Sequence, residues 1–111
     1  EKKYFTSKGI LVSFTYLDEF KSLPLVFGDE KSFKTLNDEL EKINFPYREI
    51  KTFYLFETGR WDLLTIKDQT IKLPISGYNV SLENFLDLKD QASFEKYKIF
   101  DYRIKDQLIL K

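Results

Sequence analysis

Apolar residues in the 111-residue chain fall mostly into short alternating runs, with two stretches of helical spacing between them. Tyr4-Phe5-Thr6 and Ile10 to Tyr16 flank Ser7-Lys8-Gly9, the pattern of a tight hairpin. Leu17 to Leu23 reads as a loop. In Leu23 to Gly28 (LPLVFG), Pro24 cannot donate to a ladder, so this run is an edge strand or a strand start. From Asp29 to Asn44, Phe33, Leu36, Leu40 and Ile43 line one helical face. Asp29 or Ser32 can cap the first turn. Phe45-Pro46 stops the helix, because the residue before a proline is pushed out of the α region.

Arg48 to Glu57, Arg60 to Lys67 and Thr70 to Pro74 read as three successive strands, joined at Thr58-Gly59 and at Asp68-Gln69. Two-residue turns there pair Glu57 with Arg60, Phe56 with Trp61, Ile66 with Ile71 and Leu64 with Leu73. That register collects Phe53, Leu55, Leu64, Ile66, Ile71 and Leu73 on one face. Tyr54, Phe56, Trp61 and Leu63 fall on the other. The helix can cover one face; the other is covered within the domain or serves as a contact surface. A bulge at Gly59 would exchange the two faces, since the side-chain period is two.

Residues 75–80 read as a loop. Ser81 is a candidate cap for a second helix that buries Leu82, Phe85, Leu86 and Leu88. Residues 89–96 read as a frayed helix end or a short turn of helix. Tyr97 to Lys111 carries Ile99-Phe100 with Tyr102 and Ile104, then Leu108-Ile109-Leu110, with Lys105-Asp106 between them. These are two paired strands. The second has a far edge that is either covered or offered to a partner. The expectation is one α+β domain over residues 1–111: a mainly antiparallel β-sheet with two or three helices packed against it.

Composition supports a folded domain: 42% of residues are hydrophobic and 17% aromatic, including eleven Phe and seven Tyr. Lys and Arg number 18, as do Asp and Glu, so no net charge steers the chain toward nucleic acid or an anionic membrane. Without cysteine there is no disulfide framework and no thiolate metal site. Without histidine, the commonest general base and metal ligand is missing. Without methionine, the chain is expected to be a fragment or a processed form. The acids Asp62, Asp68, Asp101 and Asp106 are candidate catalytic groups. No nucleophile elbow, phosphate loop or metal-ligand cluster accompanies them, so an enzyme is not expected. No cofactor is expected. No stretch is apolar enough to span a membrane.

The landmarks KYFTSKGILV, LPLVFG, an amphipathic helix, GRWDLLTIKDQTIKLP, a second helix and FDYRIKDQLILK follow one another across the whole chain. In this order they resemble the C-terminal β domain of the FtsQ/DivIB family of bacterial cell-division proteins. The turn near Gln69 lacks the usual glycine, and Phe100 stands where the family has Ile or Val. The resemblance implies a non-enzymatic scaffold from a single-pass inner-membrane protein. A cytoplasmic tail, a transmembrane helix and a POTRA domain would precede this domain, which would sit on the periplasmic side at the division septum. It further implies recruitment of FtsB and FtsL through the last strands, where a partner strand extends the sheet. Carried over by position, Arg103 of Asp101-Tyr102-Arg103 resembles a contact for a partner acid, and Ile104 an apolar contact. Arg60 roughly matches a second basic contact. Gln107, Leu108, Ile109 and Leu110 would offer the docking edge. An internal ion pair from Arg103 to Asp101 or Asp106 is the competing role for that arginine. A general interaction or adaptor domain unrelated to division is the alternative function.

Overall fold

The structure is a computed structural model that describes residues 24–111 and, for the backbone, residues 3–5 and 11–13. Its strands are β1 (Lys3–Phe5), β2 (Leu11–Ser13), β3 (Leu25–Phe27), β4 (Ile50–Leu55), β5 (Trp61–Thr65), β6 (Thr70–Lys72), β7 (Ile99–Asp101) and β8 (Ile109–Leu110). Helix α1 spans Glu30–Lys42 and α2 spans Tyr78–Leu88. The strands form one sheet in the order β2-β1-β3-β4-β5-β6-β7-β8. The expected hairpin at the start is seen in the antiparallel pairing of Tyr4 with Val12. Its Ser7-Lys8-Gly9 turn and the loop expected at Leu17 to Leu23 lie outside the described residues.

The α+β class holds; the sheet is mixed, with most but not all of its joints antiparallel. Among the described residues, β3–β4 and β6–β7 pair in parallel, and the other five joints are antiparallel. The two helices are the reason. A parallel joint needs a crossover long enough to carry the chain back, and α1 and α2 are those crossovers. Strand β3 therefore lies inside the sheet, with Pro24 just before it, where a missing donor costs no ladder bond.

Asp29 caps α1, its carboxylate accepting the Ser32 N–H at 2.8 Å. The helix ends before the proline acts. Asn44 takes positive φ (55°), the Phe45 N–H donates to Leu40 O at 2.9 Å, and the Asn44 N–H donates to Glu41 O. This is a Schellman ending with Asn in the left-handed position. Helix α2 starts at Tyr78 after Gly77, which has φ 71°, so Ser81 lies within the helix and is not its cap.

The strand register differs from the two-residue-turn expectation by one and by three positions. Phe53 pairs with Leu63, and Leu63 with Ile71. Both hairpins use three-residue loops. The Phe56 N–H donates to Arg60 O and the Thr65 N–H to Gln69 O, with Gly59 (φ 89°) and Asp68 (φ 60°) in the left-handed position. At β4–β5 the extra residue moves Trp61 and Leu63 to the covered face and leaves Tyr54 and Phe56 on the other. A register shift between Ile50 and Thr52 lets Ile50 and Phe53, three apart, both point inward.

Val26, Phe53, Leu63, Ile71 and Phe100 make a cross-strand row in which no residue is more than 1% exposed. Both helices cover this face. Phe33 of α1 meets Phe53 of β4 edge-on with ring centroids 5.0 Å apart, and Phe85 of α2 meets Phe100 of β7 the same way at 5.0 Å. In each case a helical Phe packs on the strand that follows its helix. The chain from β3 to β8 is thus a β-α-β-β unit built twice. Gly28 is held by proximity: a Cβ there would stand 2.9 Å from Leu55 Cβ and 3.0 Å from the Trp61 ring.

Candidate partner-binding site

Strand β8 is the end strand beside β7, and its outer side meets no other strand among the described residues. It pairs Phe100 with Leu110 and Asp101 with Ile109. Lys111 and Ile99 exchange both backbone hydrogen bonds, each at 3.1 Å. In an antiparallel ladder such pairs alternate with unbonded ones, so the Leu110 N–H and C=O point away from β7. Ile109 and Leu110 are half-buried. Two residues of strand are a short edge, with exposed Lys105, Asp106 and Gln107 leading into it. Asp106 takes positive φ (60°) in that turn.

The strand before it ends in Asp101, which is 5% exposed although it lies on the sheet face away from the helices. Arg103 covers it. Arg103 Nε donates to Asp101 Oδ1 at 2.9 Å, Nη2 to Oδ2 at 2.6 Å, and the Arg103 backbone N–H to Oδ1 at 3.0 Å. These bonds hold the Asp101 carboxyl at about 2, below the ordinary 3.8, despite its burial, and raise the Arg103 guanidinium. Of the two internal partners weighed for Arg103, Asp101 is the one engaged. The Arg103 side chain is still 45% exposed.

Tyr102 points the other way, toward the helices. Its hydroxyl donates to Asn84 Oδ1 of α2 at 2.8 Å, and burial pushes its ionisation up. This bond ties the root of the β7–β8 connection to α2.

Arg60 immediately precedes β5, on the same outer face as Asp62. It forms an ion pair with Asp62, approaches Leu73 O at 3.5 Å and lies 4.6 Å above the Phe56 ring. Its side chain is only 16% exposed.

A groove of about 890 Å³ opens beside these residues, between the 102–108 connection, the Pro74–Gly77 turn and the start of α2. Arg60, Arg103, Ile104, Gln107 and Leu108 all line it, so five of the seven expected contact residues share one wall system; Ile109 and Leu110 continue from it as β8. Ile75, Val80 and Ile104 also line it and are 63%, 68% and 51% exposed. Sequence reasoning placed Ile104 there but missed Ile75 and Val80. Their signal was available: two β-branched residues within the supposed loop 75–80, at no position that a packed helix or strand needs. Large apolar side chains left in water around a concavity mark contact surfaces.

Among the described residues, no three Asp or Glu side chains come together as a metal site would require. No helix among them is long and apolar enough to cross a membrane.

Residues 2–103 match the family model described as cell division protein FtsQ/DivIB, C-terminal. No curated protein matches the chain. The family match takes in β1 through β7 and closes at Arg103, leaving the turn and β8 outside it. Covering nearly all of the chain, it establishes that this chain belongs to the FtsQ/DivIB C-terminal family of cell-division proteins.

Proposed function

We propose that this domain is a non-enzymatic division scaffold that binds the FtsB–FtsL pair by adding a partner strand at the edge formed by its C-terminal strands, at β8. The observation carrying this reading is the position of β8: it is the end strand of the sheet, and the Leu110 backbone groups point outward from it. Main-chain hydrogen bonds supply affinity in this mode, and pockets for alternate side chains supply register. The adjoining groove provides such a pocket, with Ile75, Val80, Ile104 and Leu108 as its apolar lining. A membrane-anchored parent would hold the domain on the extracytoplasmic side of the bacterial inner membrane, at the septum.

Titration of a peptide from the C-terminal part of the cognate FtsB, followed by calorimetry, tests the reading. Leu110→Pro removes one outward N–H without removing a donor to β7, so it should weaken binding at least tenfold while the domain stays folded. Arg103→Glu should weaken it as well. Wild-type protein that fails to bind, or a Leu110→Pro variant that binds unchanged, would overturn strand addition.

A further inference from the structure

A guanidinium has two bidentate edges: Nε with Nη2 on its side, and Nη1 with Nη2 at its end. Asp101 takes the side edge of Arg103 with both carboxylate oxygens. Among the described residues, the guanidinium makes no other hydrogen bond. Asp101 itself is fixed from several directions. It is 5% exposed, lies opposite Lys72 of β6 and Ile109 of β8, and accepts the Arg103 backbone N–H. A carboxylate anchored in the sheet therefore grips a cation at the lip of the groove. Arg60 contrasts with it in exposure: paired through Nη1 with Asp62 and stacked on the Phe56 ring, its side chain is 16% exposed against 45% for Arg103.

We propose that Asp101 is a positioning residue of the docking site: it fixes Arg103 by the side edge so that the end edge receives one carboxylate of the docked partner segment. Asp101, Arg103 and the partner acid then form a carboxylate–guanidinium–carboxylate chain. This rests on the strand-addition reading above. Its chemical content is that Arg103 recognises an acid only while Asp101 holds it. A freely rotating arginine loses rotamer entropy on binding that a held one has already lost.

The test uses the FtsB peptide and versions in which each Glu or Asp is replaced in turn by its amide. With wild-type domain, one replacement should cost about tenfold in affinity, the scale of a charge-assisted hydrogen bond. With Asp101→Asn that discrimination should fall to within about twofold, while the amide peptide binds as it does to wild type. Arg60→Lys should keep the discrimination. If Asp101→Asn unfolds, as cooperative thermal melting would reveal, Asp101→Glu takes its place: the charge is kept, the reach is wrong, and discrimination should still fall. Undiminished discrimination in the folded variant would overturn the positioning role. So would equal weakening of the acid and amide peptides, which is the mark of a purely structural residue. Wild-type protein that binds neither peptide would overturn strand docking itself, and the role of Asp101 with it.

Discussion

The two faces of the sheet use neighbouring residues of the same strands to opposite ends. On the helix side, Val26, Phe53, Leu63, Ile71 and Phe100 form an apolar row sealed from solvent. One residue further along, the row Phe27, Tyr54, Asp62, Lys72 and Asp101 crosses the same strands on the other side. It begins with aromatic rings and ends with charges of alternating sign. What separates the two rows is the cover that α1 and α2 provide on the helix side. The helix-side row supplies stability through burial. The outer row supplies chemistry, and it carries that chemistry toward β8.

The contrast can be broken most severely on the covered side. Phe100→Ala should destabilise the domain by about 3–5 kcal/mol in denaturant unfolding, because the ring that packs on Phe85 leaves a cavity. Gly28→Ala should come next, at about 1–3 kcal/mol, since its new Cβ meets Leu55 and Trp61. The outer row yields a pH signature. The folded Asp101 carboxyl titrates near 2 against an ordinary 3.8, so its contribution is present above about pH 4 and disappears as pH falls toward 2. That contribution, on the order of 1–2 kcal/mol, should flatten in Asp101→Asn when stability is followed from pH 5 to pH 2. Smallest of all, Tyr54→Ser should shift stability by less than about 1 kcal/mol, because the ring is 47% exposed. A large loss there would show that the outer face is more tightly covered than its exposure indicates.

The same contrast explains what could be read from sequence. Helix α1 was legible almost to the residue, because Phe33, Leu36 and Leu40 repeat at helical spacing after a capping Asp29. The strands were legible as elements, but their register was not. It turns on whether Gly59 and Asp68 sit inside two- or three-residue loops, a choice of backbone dihedral that apolar patterning cannot express. Trp61 and Leu63 were consequently assigned to the wrong face. The parallel joints were hidden for a related reason: alternation shows a strand but not its direction. At the candidate site, the Asp101–Arg103 pair and the β8 edge could be anticipated from a motif of three residues. The groove could not, since Ile75 and Val80 come from a turn and a helix start that only tertiary packing brings opposite Ile104.

From β3 to β8, position in the sheet follows position in the sequence, strand for strand. Each new strand therefore docks beside the one synthesised just before it, and no pairing waits for a distant segment to return. Only the two helical crossovers separate paired strands widely in sequence; the hairpin joints between them close over short loops. The sheet advances in one direction as the chain lengthens, and β8 is its growing end. A partner strand added there would repeat, between molecules, the step by which the domain assembled itself.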